Sequence, residues 1–349
     1  MGIVHLFRKF GLFGFLVGPL FAIGVEAEPV VLRFSTTLPA AADINKGAIR
    51  PWIAEVERRL PGKVKIDLFP GGSLGRHTQA YLQMVRDGVV DFAITIPSYF
   101  PGEFPDNDMF QMPLMFNNSM EASLTAWRMV QKNQLRGFED VRVAAIYGTL
   151  PYGLHLGFSY DSLADLQGRK IRTMGLIQAR VARALGAAPI GNIIAANLAE
   201  TMDRGLVDGA LFGWDNVRAF GVRYVSSHHV ELPVSLSLAF IGMNVARYNS
   251  LPSDVRAVLD ETMGEPLIRR IVAVTTAAGN DVRAEAVASG EHTLVQPDAS
   301  ELAEYRSRLA GLSDFYTERE PGNAERYRIF LETLAQVRRD QGDENWDFR

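Results

Sequence analysis

Apolar positions along the chain recur with two periods, and the switch between them marks its elements. Residues 30–34 (Val30, Val31, Leu32, Arg33, Phe34) read as a strand. In residues 48–60, Ile49, Ile53, Val56 and Leu60 return every three or four positions, as on one face of a helix. Residues 64–69 alternate like a strand until Pro70, Gly71 and Gly72 break them, and residues 78–86 read as a helix stopped by Gly88. A further strand follows at 90–96. Strands alternating with helices predict an α/β fold with mainly parallel sheets. From about Leu251 the pattern turns amphipathic and charged, predicting helices at 253–263, 266–288, 300–310 and 324–338. The second of these is long enough to brace two lobes. The run RDGVVDFA at 86–93 is echoed by DRGLVDGA at 203–210. The echo reads either as two similarly built lobes sharing a cleft or as two instances of one helix-ending turn.

The N-terminus bears on compartment. Arg8 and Lys9 precede an apolar run at 11–25, and Val25-Glu26-Ala27 offers small residues for cleavage, so residues 1–27 read as a secretory signal peptide. Gly14, Gly18, Pro19 and Gly24 interrupt that run, and it falls short of the roughly 20 residues a spanning helix needs. The remainder of the 349 residues suffices for two domains. There is no cysteine, which excludes disulfides and thiol chemistry and leaves the cores alone to hold an exported chain. The net charge of −4 becomes one unit more negative once the leader is removed, and acidic and basic residues are interspersed. That pattern argues against a nucleic-acid partner. The polar stretch 339–349 reads as a flexible tail.

The strongest chemical signal lies between residues 165 and 214. Arg172 sits on a short strand at 170–173 aimed at the loop before a helix, and Phe212 and Trp214 lie beyond a second strand. A planar guanidinium holds a carboxylate bidentately, and aromatic rings bury a ligand body without adding charge. Tyr99 belongs to the aromatic loop 97–105 at the C-terminal end of a strand, where α/β sheets meet ligands. Tyr152 and His155 lie on a strand at 151–158 leading toward Arg172; His155 reads equally as a ligand donor or a packed histidine. Thr37 ends the first strand. Gly71-Gly72-Ser73-Leu74-Gly75 matches the hydrolase elbow G-x-S-x-G, but only two strands precede Ser73 and no HGGG-type segment accompanies it. A glycine turn explains it better. None of the six histidines has metal-ligand spacing; His228 and His229 point to opposite faces of a strand and read as surface or loop residues. Glycine-rich phosphate loops are absent, so neither metal nor cofactor is expected.

Four blocks together resemble a known family. LFPGGSLGR (68–76), RDGVVDFAITIPSYF with the FP and MPLMF that follow (86–116), DLQGRKIRTMGLIQARVARALGAAPI (165–190) and RGLVDGALFGWDNV (204–217) are similar, in this order and spacing, to the DctP-type extracytoplasmic solute-binding proteins of TRAP transporters. The resemblance implies a type II-like periplasmic binding-protein fold, each lobe a mixed sheet flanked by helices, with a long helix spanning both. On that plan residues 28–149 with about 238–277 form the first lobe, and 150–237 with about 278–338 form the second. It also implies a periplasmic, non-enzymatic, monomeric receptor. That receptor hands an organic acid to the small and large membrane subunits of an ion-driven permease. Arg172, the arginine of the K-I-R motif, takes the role of the substrate's salt-bridge partner.

Departures from the family pattern narrow the ligand. Where many members carry a second arginine before the K-I-R strand, this chain has Leu150 to His155; where sugar-acid binders place Glu-Asn it has Leu211-Phe212, and Ile96 and Tyr99 replace further polar partners. One clamp with apolar walls favours a monocarboxylate with an apolar or aromatic body, because burying a second carboxylate without a cation costs several kcal/mol. The rival readings are a secreted serine hydrolase using Ser73 and a ligand sensor for a membrane kinase.

Overall fold

The computed structural model describes residues 28–75, 78–100 and 102–341. The expected signal peptide and most of the tail lie outside the described residues. In chain order the strands are β1 (Val30–Ser35), β2 (Val64–Phe69), β3 (Phe92–Thr95), β4 (Val141–Gly148), β5 (Tyr152–Leu156), β6 (Lys170–Arg172), β7 (Ala188–Ile190), β8 (Gly209–Phe212), β9 (His228–Ser235), β10 (Leu238–Asn244) and β11 (Thr293–Val295). They form two sheets, ordered β2-β1-β3-β10-β4 and β11-β9-β5-β8-β6-β7. Each sheet heads one lobe.

Both sheets are mixed: two of four pairings are parallel in the first and three of five in the second, where β11 is parallel to β9. β1 pairs in parallel with β2 and β3, whereas β10 runs antiparallel between β3 and β4. In the second sheet β5 is antiparallel to both β8 and β9, while β6 is parallel to β7 and β8. The reason is connectivity. The chain passes from one lobe to the other directly from β4 to β5 and returns directly from β9 to β10, without the crossover helix that parallel neighbours require. These two connections lie side by side: Thr149 donates its backbone N–H to the Ser237 carbonyl at 2.8 Å, and Ser237 donates to Thr149 Oγ1 at 3.1 Å.

Alternation fills the first core. Leu32 and Phe34 of β1 and Phe92 of β3 are buried with Trp52 of the helix Arg50–Arg59. The Phe34, Trp52 and Phe92 rings meet edge-on with centroids 5.6 to 6.3 Å apart, a favoured aromatic geometry. The helix Glu265–Ser289 joins the lobes, with Leu267, Ile268 and Ile271 in the larger core and Val282 in a second cluster with Phe212 and Val217. Gly279 lies midway. A side chain there collides with Leu150 of the interlobe connection, so glycine is what lets helix and hinge pack together.

The C-terminal segment departs from the expected division at 278–338. Helix Asn323–Gln341 packs on helix Ser119–Gln131 of the first lobe. Phe330 is fully buried, 5.1 Å from Phe110 and 5.9 Å from Phe116. Arg338 pairs with the buried carboxylate of Glu121 at 2.9 Å. The chain thus returns to its starting lobe because the apolar face of its last helix matches an aromatic cluster there. Phe330→Ala is expected to cost about 3 to 5 kcal/mol of stability, read as a lowered denaturation midpoint. A loss under about 1 kcal/mol would show that this helix is not part of the folded core.

Candidate functional site

β6 lies between β8 and β7, so its last residue, Arg172, emerges at the end of a central strand and is fully buried. Its Nε donates to the Ile193 carbonyl at 3.0 Å and its Nη2 to the Tyr99 hydroxyl at 3.3 Å. The guanidinium carbon stands 5.7 Å from the centre of the Phe212 ring. Nη1 is buried with no hydrogen-bond partner among the described residues. Among those residues, too, no carboxylate lies within 4 Å of this cation. A buried charge in such surroundings is costly until an anion faces it. Tyr99 contributes from the other lobe: its hydroxyl also accepts the Ala195 backbone N–H at 3.3 Å, so one phenol touches two groups across the cleft.

The cleft between the lobes holds an interior cavity of about 90 Å³. Thr37, Ile96, Tyr99 and Tyr147 line it from the first lobe, and Tyr152, Phe212 and Asp215 from the second. A wider groove of about 660 Å³ runs outward past Gly191 and Ile194, and Tyr99 and Met174 border both spaces. Burial pushes the Tyr147 and Tyr152 phenols well above their ordinary range, with the Asp215 charge adding to the rise in both. Burial also pushes the Asp215 carboxyl up to about 7, against the pull of neighbouring backbone N–H groups and the Asn216 amide.

The structure thus brings together Thr37, Tyr99, Tyr152 and Phe212 around the cavity, with Arg172 behind Tyr99 and Phe212. It does not bring His155 and Trp214 there. Their rings meet edge-on, with centroids 4.8 Å apart, and Trp214 borders a separate surface pocket with His229 and His292. His229 is a correction: it is buried, because β9 is an inner strand whose inward face meets β5. His155 Nδ1 lies 2.8 Å from His229 Nδ1, and His229 Nε2 lies 3.0 Å from His292 Nδ1. At the inner end His155 Nε2 is 3.2 Å from the Phe212 carbonyl. A carbonyl only accepts, so His155 donates from Nε2 and accepts at Nδ1; His229 and His292 then each donate from Nδ1. The hydrogen bonds of the three imidazoles run in one direction from the cleft wall to the surface. Burial lowers His155 to about 4, and burial with the neighbouring histidines lowers His229 to about 2.

Ser73 sits exposed in the turn after β2, where Gly71 and Gly72 take φ values of 67° and 73°, which is the turn geometry the glycines suggested. Among the described residues no group of three or more His, Asp or Glu is placed to hold a metal ion, and no helix is long and apolar enough to cross a membrane. Tyr147 and Asp215 also line the cavity. Tyr147 lies in none of the four blocks, whereas Asp215 falls within RGLVDGALFGWDNV (204–217), directly after the aromatic Phe212-Gly213-Trp214 run, without having been assigned a role there.

Residues 34–319 match the bacterial extracellular solute-binding proteins of family 7, DctP. The chain belongs to this family. A curated relative, named outer membrane transporter protein TsaT of Comamonas testosteroni, is 24% identical over 76% of this chain and 79% of its own length. A TRAP solute-binding protein from Rhodoferax ferrireducens T118, solved with copurified benzoate, superposes with a TM-score of 0.84 at 24% identity, covering 90% of this chain and 100% of the other. A TRAP periplasmic solute-binding protein from Bordetella bronchiseptica, solved with (R)- and (S)-mandelate, gives 0.79 at 23% identity, over 89% and 100%. Two mixed sheets flanked by helices are therefore the DctP fold.

The lowered histidines of this DctP protein fix a pH dependence. The unfolded chain takes up protons near pH 6.5 that the folded stack refuses until about pH 4, so stability falls as pH drops through that window. Each pH unit across the window is worth about 1.4 kcal/mol, and His155 alone should cost roughly 2 kcal/mol between pH 7 and pH 4.5. Thermal melts of the protein and of His155→Phe should show a steeper acid-side decline in the former; equal slopes would contradict the assignment.

Proposed function

We propose that this protein is the periplasmic receptor of a TRAP transporter, capturing a monocarboxylate with an apolar or aromatic body in the cleft and delivering it to the membrane permease. The observation that carries this reading is Arg172: a fully buried guanidinium with one nitrogen unpaired and no carboxylate within reach among the described residues, backed by Phe212 and Tyr99. A ligand carboxylate supplies the missing anion, and the rings of Tyr152, Phe212 and Tyr99 with Ile96 supply its apolar surroundings. Similarity to proteins solved with benzoate and mandelate supports the aromatic class. Tyr99, bonded to Arg172 and Ala195 across the cleft, helps hold the lobes around the ligand. Export by the 1–27 leader, delivery to two membrane subunits, a monomeric state and the absence of catalysis are parts of the same reading.

A thermal-shift screen over organic acids should find aromatic or branched monocarboxylates that raise the melting temperature, since ligand at about 100 times its Kd stabilises by roughly 2.7 kcal/mol. Arg172→Gln should weaken the best hit by about 2 to 5 kcal/mol, at least thirtyfold in Kd. An unchanged Kd in that variant, or tight binding of succinate with none of the aromatic acids, would refute the reading. Tyr99→Phe should cost about 0.5 to 1.5 kcal/mol of affinity, expressed mainly as faster dissociation.

A further inference from the structure

Two charges of opposite sign bear on the cavity. Arg172 stands behind Tyr99 and Phe212 of its wall, whereas Asp215 lines it directly, and the two act on the Tyr152 phenol in opposite directions. Asp215 stands in the first turn of the short helix Trp214–Val217, beside Tyr147, Tyr152 and Asn216. Its Oδ2 accepts the Asn216 side-chain amide at 2.8 Å, while Oδ1 is buried without a well-formed hydrogen bond. Asp43 also lines this cavity but is paired with Arg218 at 3.1 Å, and Arg218 in turn holds Glu285 at 2.8 Å. Asp215 has no such cation within 4 Å among the described residues.

We propose that Asp215 sets ligand choice at the end of the cavity it lines, accepting a hydrogen bond from a hydroxyl or amino group on the ligand body and excluding a second carboxylate. This rests on Arg172 holding the ligand's carboxylate, as proposed above. A buried acceptor left unpaired destabilises the complex, so a body carrying a donor gains over an isostere lacking one. A second carboxylate brought to this end meets a like charge in a low-dielectric cavity.

The same geometry makes the exclusion pH-dependent. With its carboxyl pushed up to about 7, Asp215 is mainly charged at pH 8 and mainly neutral at pH 6. Of the other groups facing it, the Tyr147 and Tyr152 phenols are held far above this range, and Asp43 is ion-paired with Arg218. The long helix presents Thr275 and Ala278 to the cavity, and none of the described histidines lines it.

Calorimetric titration tests this with three probes, each as the 3- and 4-substituted isomer: hydroxybenzoate, the nearly isosteric fluorobenzoate, and the benzenedicarboxylate. At pH 8 one hydroxybenzoate should bind about tenfold or more tightly than its fluoro counterpart. The dicarboxylates should bind weakly at pH 8 and gain about tenfold at pH 6, while hydroxybenzoate changes little. Asp215→Asn should bind the dicarboxylates equally at both pH values and more tightly than the unaltered protein does at pH 8. Should that variant misfold, the pH response of the unaltered protein decides. Equal binding of hydroxy- and fluorobenzoate for both isomers, with dicarboxylate affinity independent of pH, would overturn the role of Asp215. If that binding is nonetheless lost in Arg172→Gln, only the Asp215 inference falls; if no acid binds at all, the receptor reading falls with it.

Discussion

A guanidinium buried at the meeting of two lobes, with no carboxylate beside it among the described residues, is the constraint around which this molecule is arranged. Arg172 is held in place by the Ile193 carbonyl, the Tyr99 hydroxyl and the face of Phe212. Each is polar or polarisable enough to orient the cation, and none neutralises it. The buried charge is therefore left without a neutralising partner among the described residues. Because Tyr99 comes from the opposite lobe, the Arg172 environment is completed by both lobes together.

The scaffold holds the two lobes together at that point. Two adjacent connections, tied through Thr149 and Ser237, join the lobes, while the helix Glu265–Ser289 contributes to both cores. Phe212 must be fixed for the cleft wall to have a shape, and its carbonyl is taken up by His155. The imidazole chain behind it, running through His229 to His292, is a buried polar network with every inner nitrogen paired, the kind that makes one packing arrangement distinct from its alternatives. Trp214 covers that chain, so the aromatic beyond β8 that looked like a wall of the ligand site belongs to the wall's support.

Much of the architecture was legible because it is local. The helices at 253–263, 266–288, 300–310 and 324–338 announced themselves by period, and the structure places them at Ser253–Thr262, Glu265–Ser289, Ala299–Leu309 and Asn323–Gln341. β10 was harder. It is buried on both faces in the middle of the first sheet, so it carries no alternation to separate it from any other apolar run. Its antiparallel insertion is what makes the first sheet mixed, as that of β5 does in the second. Asp215 and Tyr147 were invisible for another reason: they lie far apart in sequence, and only the approach of β4 to the helix start at Trp214 puts them in one cavity.

The chain alone determined the family, through four short blocks in a set order, and that resemblance singled out Arg172 as the arginine of the K-I-R motif. It also determined the amphipathic helices, the glycine turn around Ser73, and the scarcity of polar partners near Phe212. Tertiary structure alone decided which aromatics line the cleft cavity, that three histidines distant in sequence form one stack, that the last helix returns to the first lobe, and that the Asp215 carboxyl lines the cavity. The physical reason is common to all four: each depends on which face of a strand or helix meets another element. Local periodicity reports that a face is apolar, whereas the partner it meets is set by long-range packing.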